Sequence, residues 1–142
     1  MKALLMLLVV GFFSISLAIE NSGFIKKLTG EAIIKRDNKI IIVKTGVKIY
    51  PKDIIITKNN SSVGIIFKDN TLISLGKNTE FIIEEYTFNP EEKQEAFISR
   101  ITKGTLSCLT GLMPKLNPDA MKIKAKTASI GIRGTHFLIS VD

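Results

Sequence analysis

Few side chains in this sequence are of the types that do chemistry, and their spacing assembles no catalytic constellation. His136 is the one histidine and Cys108 the one cysteine. A Ser-His-Asp triad would have to run through His136, and no Gly-x-Ser-x-Gly elbow exists to present its serine. A metal site built on one His and one Cys 28 positions apart lacks ligand spacing. Glu84 and Glu85 are neighbours, so in a strand they face opposite ways and do not make a carboxylate pair. Glu91, Glu92 and Glu95 crowd a turn, where water solvates them. His136 alternates with Phe137 and is expected on an outer face. No catalytic residue, metal ligand or cofactor is expected, and the chain reads as a non-enzyme.

The cations are more suggestive. Lys122, Lys124 and Lys126 alternate with Ile123 and Ala125. In a strand this puts three ammonium groups on one face, either a solvated surface or a basic docking strip. Arg133 lies between Gly131 and Gly134, which permit unusual backbone angles or close approach. Its planar fork is expected to tie down loop carbonyls or a carboxylate such as Glu84, Glu85 or Asp53, so that Arg133→Ala destabilises the domain. The rival reading is an anion nest, in which successive N–H groups and Arg133 receive a carboxylate or phosphate. It is not a P-loop, because no Gly-Lys-Ser/Thr follows the glycines. The formal charge of +7 favours anionic partners such as lipid headgroups or acidic polymers. No aromatic residues interleave the lysines, so a specific nucleic-acid role is not expected. A single cysteine excludes an intramolecular disulfide. Cys108 is either a buried small apolar residue or a partner in an intermolecular disulfide.

The elements that carry these residues form one exported domain. Lys2, the apolar stretch Ala3 to Phe13, and the small residues Ser16 and Ala18 make a secretory signal peptide over residues 1–18. The stretch is short for a membrane span of ~20 residues, and no span is expected after cleavage near Ala18. Ile19 stands where a lipoprotein would need cysteine. Loss of Lys2 leaves a charge of +6. Residues 19–29 read as a lead-in and 30–142 as the domain. Ala32–Ile34, Ile40–Val43, Ile54–Thr57, Val63–Phe67, Thr71–Leu75 and Phe81–Ile83 are short β-branched runs. Asn, Asp, Gly and Pro clusters separate them every ~8–12 residues. Asn89-Pro90 to Lys93 reads as a turn, followed by a strand that Gly104 ends. Leu106–Leu109 reads as a further short strand and Thr110–Ala120 as a loop. No helix is expected after the leader. The fold class is all-β: a roll, a solenoid-like stack or a sandwich of short strands.

The most specific string is Ala128-Ser-Ile-Gly-Ile-Arg-Gly-Thr-His-Phe137. With Thr127 before it, this resembles the signature of the FecR family's periplasmic domain. The resemblance runs backwards through the chain. Gly30-Glu31-Ala32 resembles the family's opening. Tyr50 to Thr57 is similar to its Gly-Asp-x-Ile-x-Thr step, with Asp53 and Thr57 in place and Lys52 for Gly. Ser61 to Phe67, Asp69-Asn70-Thr71-Leu72 and Leu75-Gly76 to Phe81 resemble its next steps, with Asn70 for Gly. Asn tolerates left-handed backbone; Lys52 implies a different turn if that position needs positive φ.

The resemblance implies that Asp53, Thr57, Ser61, Asp69, Gly131, Arg133, Gly134, Thr135 and Phe137 are structural motif residues. It implies a periplasmic or secreted bacterial protein linked to cell-envelope signalling. Family regulators also carry a cytoplasmic anti-sigma segment and a transmembrane helix. An export signal stands here instead, so anti-sigma activity is not expected. The expected function is a non-catalytic exported binding or sensing module, for an unidentified protein or anionic ligand of the envelope. The alternative is an envelope structural or assembly protein using exposed edge strands. Five residues follow Phe137. Family members usually continue beyond this string with another strand that pairs back, so the resemblance implies a minimal form with an open edge, or a truncated frame, and an open edge invites pairing with another chain.

Overall fold

Isoleucine-rich runs alternate between an inner and an outer face, and the strands they form curl into one open sheet of two leaves. This computed structural model describes residues 11, 19–126, 128–134 and 136–142. The leader reading therefore lies outside the described residues, apart from Gly11. The strands are β1 (Gly23–Thr29), β2 (Ala32–Arg36), β3 (Lys39–Ile42), β4 (Lys48–Ile49), β5 (Ile54–Thr57) and β6 (Ser62–Phe67). They continue with β7 (Leu72–Leu75), β8 (Glu80–Asn89), β9 (Gln94–Leu109), β10 (Met121–Ala125), β11 (Ala128–Gly131) and β12 (His136–Val141). One leaf runs β4-β1-β6-β7-β9-β12. The other runs β3-β2-β5-β8-β9-β10-β11. β10 lies parallel to β9, and the other pairings among the described residues are antiparallel.

β9 belongs to both leaves. Its residues 94–103 pair with β8, and residues 104–109 pair with β12. Gly104, at φ +98, carries the chain from one leaf to the other. The sequence reads Gly104 as a terminator and Leu106–Leu109 as a separate strand. The structure makes them one bent strand, because the positive φ redirects the chain without breaking its ladders.

The core lies between the leaves. Ile25, Ile34, Ile55, Ile65, Ile73, Ile83 and Ile101 are fully buried there. Phe67, Tyr86 and Phe97 pack together, with ring centroids 4.5 to 5.4 Å apart. Cys108 is fully buried among them on the inward face of β9. The thiol cannot meet a second chain while the fold is intact, which leaves the plain reading of that residue.

Other details differ from expectation. β1 lies in the segment read as a lead-in, yet it joins β4 and β6 in the first leaf. A register shift between Ile25 and Lys27 sends Lys26 and Lys27 outward and hides the alternation. One helical turn, α1 (Met113–Leu116), interrupts the expected loop and buries Met113 and Pro114. Asn70 has φ +70, as an Asn in a left-handed turn can. Lys52 has φ +75, so the turn keeps the left-handed geometry and lysine adopts it. The N–H of Lys52 donates to the Ile83 carbonyl and that of Asp53 to the Tyr50 carbonyl, which hold the turn in place.

Candidate functional site

The buried polar residues of the motifs sit where strands meet turns. The Asp53 carboxylate receives Arg36 Nε at 2.8 Å, Arg36 Nη2 at 2.7 Å and the Tyr50 N–H at 2.8 Å. Pairing of Lys35 with Ile54 across β2 and β5 brings Arg36 beside Asp53. The guanidinium also lies 4.6 Å from the Tyr50 ring centroid. Its pKa is raised chiefly by the hydrogen bond to Asp53. Thr57 Oγ1 donates to the Gly76 carbonyl at 2.6 Å and accepts the Thr79 N–H at 2.9 Å. Ser61 Oγ accepts the Glu31 N–H and donates to the Asn59 carbonyl.

Asp69 is the most connected. Its carboxylate accepts from Thr71 N–H, Thr71 Oγ1, Tyr86 Oη and Met113 N–H at 2.7 to 3.2 Å. Thr71 Oγ1 in turn accepts the Gly111 N–H at 3.0 Å. One carboxylate thus joins the β6–β7 turn, β8 and the segment after β9. These four residues are consumed by internal bonds and present no reactive group outward.

Arg133 does not behave as the sequence suggests. Asp53 is taken by Arg36, and Glu84 by Arg100 Nε at 2.6 Å and Lys124 Nζ at 2.9 Å. Among the described residues Arg133 makes no ion pair, and its side chain is exposed. The reason is local. Ile132 is buried and its N–H donates to the Met121 carbonyl, so the next residue leaves the leaf. Gly131 is open around its missing Cβ and lacks positive φ, so neither expected reason for a glycine applies there. Gly134 does have φ +103. Thr135 lies outside the described residues. Phe137 is half-buried and packs against the core.

Around Arg133 the sheet is open. β11 pairs only with β10, and β12 only with β9, among the described residues. An apolar cavity of about 290 Å³ lies there, lined by Ile130, Ile132, Arg133, Phe137, Leu138 and Ile139. Leu138 is 73% exposed.

A family model described as FecR protein matches residues 53–142. The chain belongs to the FecR family. No curated protein and no solved structure matches it. The FecR match begins just before β5 and ends beyond β12. β1 and β2 precede it, yet pair with β6 and β5 inside it. The family is one of envelope signalling and regulation rather than of enzymes, and its domains are periplasmic.

Two further expectations about this FecR chain change. Glu84 and Glu85 do not face opposite ways, because a register shift between Ile83 and Glu85 places both outside the core. That bulge aims Glu84 at Arg100 and Lys124, which lower its pKa, Lys124 first. The lysine strip is also broken. Lys122 is exposed on β10, but Lys124 is spent on Glu84, and Lys126 occupies the following turn at φ +51. His136 is exposed at the start of β12, its Nε2 3.1 Å from Ser107 Oγ. Among the described residues no three His, Cys, Asp or Glu side chains gather to hold a metal. No helix among them is long and apolar enough to cross a membrane.

Proposed function

We propose that this FecR protein is a non-catalytic, exported recognition module of the cell envelope, and that the β11–β12 opening is its recognition surface. The observation that carries the reading is Arg133. The buried motif carboxylates are satisfied by other donors, while this guanidinium stands exposed beside an apolar cavity between two strand edges that have no further partner among the described residues. An extended segment with apolar side chains and a carboxylate fits that combination: main-chain bonds along β12, a side chain in the cavity, an ion pair with Arg133. A photo-crosslinking residue at position 138 in growing cells tests it. A discrete adduct is expected, lost in Arg133→Glu, while thermal unfolding stays as in the wild type. No adduct, or an adduct indifferent to Arg133, overturns the reading.

The second reading is assembly. Ile40 and Ile42 on edge strand β3, and Leu138 on edge strand β12, are exposed. Strand addition between copies would then give concentration-dependent oligomers by sedimentation.

A further inference from the structure

Across β3, β2, β5 and β8 the outer face of the second leaf is largely apolar where a solvated sheet face would be polar. Pairing across four strands builds it in two rows. One row reads Ile40–Lys35–Ile54–Ile82 across β3, β2, β5 and β8. The other reads Ile42–Ile33–Ile56–Glu80 across the same strands. Ile40 and Ile42 are 67% and 71% exposed, and the other four isoleucines are partly exposed. Contiguous exposed apolar surface of this kind marks a contact with something less polar than water.

The charges around the field say what that is. At one end an open cavity of about 610 Å³ is lined by Lys35, Lys39 and Lys52 together with Asp37, Asn38 and Ile54. None of these lysines makes an ion pair among the described residues. Lys58 borders a second depression at the other end, beside Ile33, Ile42 and Glu31. Glu31, Asp37 and Glu80 are the acids at the rim, fewer than the lysines. Lys52 holds left-handed backbone, φ +75, at a turn that glycine would occupy without strain.

Composition separates a lipid surface from a protein one. Over these four strands the two rows hold isoleucine, Lys35 and Glu80 and no aromatic residue; the first row continues from Ile82 to Arg100 on β9, whose guanidinium is taken by Glu84. Protein interfaces favour Tyr, Trp, Arg and Met and disfavour Lys. Lysine among aliphatic side chains suits a bilayer boundary, where the stem lies along the acyl region and the ammonium reaches the headgroups.

We infer that this face docks on an anionic phospholipid surface, with the isoleucines against the acyl boundary and Lys35, Lys39 and Lys52 receiving phosphate headgroups. The inference rests on this face alone and not on the reading of Arg133. It is tested on the exported form of the protein, with phosphatidylcholine vesicles made with and without phosphatidylglycerol. Binding only to the anionic vesicles is expected, weakening as salt rises, with amide exchange slowed in β2, β3 and β5. Ile40→Asn with Ile42→Asn weakens binding by about tenfold or more, with thermal unfolding unchanged. Lys35→Gln with Lys39→Gln removes most of the salt dependence. Lys52→Gly separates the roles of that residue: affinity for anionic vesicles falls while the melting temperature rises. Equal binding to both vesicle types, or protection confined to other strands, overturns the inference. So does a lipid-free dimer abolished by Ile40→Asn with Ile42→Asn, which would assign the face to a second copy.

Discussion

Asp69 and Tyr86 bond each other twice: the tyrosine oxygen accepts the Asp69 N–H at 3.1 Å and its hydroxyl donates to the Asp69 carboxylate at 3.2 Å. Both residues are buried. Tyr86→Phe therefore orphans a backbone N–H and removes one donor from a buried anion. The expected loss of stability is about 2 kcal/mol, read as a lower urea midpoint with an unchanged slope. Asp69→Ala is expected to cost more, because Thr71, Tyr86 and the Met113 N–H all lose their acceptor.

The same neighbourhood sets an alkaline limit. Burial, and then the Asp69 charge, raises the Tyr86 pKa well above its ordinary value of 10.0. Burial, again followed by Asp69, pushes the Cys108 thiol from 9.0 up to about 12. In both cases the fold holds the neutral form. The unfolded chain ionises first, so this stability is complete below pH 9 and is lost as pH rises towards 12 and beyond. Urea midpoints measured from pH 9 upward should fall, and Tyr86→Phe with Cys108→Ala should flatten the decline. Thiol reagents should reach Cys108 only through unfolding.

Arg36 is the sole charged partner of a fully buried carboxylate among the described residues. Arg36→Ala leaves Asp53 with the Tyr50 N–H alone. The expected cost is about 3 kcal/mol or more. Arg36→Lys keeps the charge but not the two-pronged geometry, and should fall between. In an Asp53→Asn background the Arg36→Ala cost should shrink, which a double-mutant cycle in urea measures. Equal costs in both backgrounds would refute the coupling.

How much of this was readable before the structure follows from which interactions are local. The runs at Ile54–Thr57 and Val63–Phe67, and the turn at Asn70, are visible because alternation and turn chemistry act over a few residues. Partner choice is not local. Arg36 meets Asp53, and Arg100 and Lys124 meet Glu84, through registers across strands far apart in sequence. No pattern around Arg133 reveals that two of its expected partners, Asp53 and Glu84, are already engaged. The outer apolar field is hidden for another reason. Ile40–Ile42 and Ile54–Ile56 are unbroken isoleucine triplets, so both faces of each strand look like core. The pairing, not the spelling, shows which isoleucines face out. Bulges hide the rest: the register shifts in β1 and at Glu84 break the two-residue period that sequence reading relies on.

Gly104 tests the architecture itself. Two leaves can share β9 only if the strand turns there, and it turns with φ +98 while Thr79 packs against the missing side chain. The Cβ of an alanine would fall inside permitted distance of Thr79 Oγ1, Cα and Cβ, backbone as well as side chain. Thr79 cannot step aside cheaply, since its N–H donates to Thr57 Oγ1 and its own Oγ1 accepts the Thr105 N–H. Gly104→Ala therefore combines left-handed strain with a clash in a bonded corner, and is expected to cost about 3 kcal/mol or more. Gly131→Ala is the control: its Cβ meets nothing within 4 Å and its φ is not positive, so stability should stay within about 0.5 kcal/mol of the wild type. If both variants melt together with the wild type, Gly104 is not the hinge that lets β9 serve both leaves.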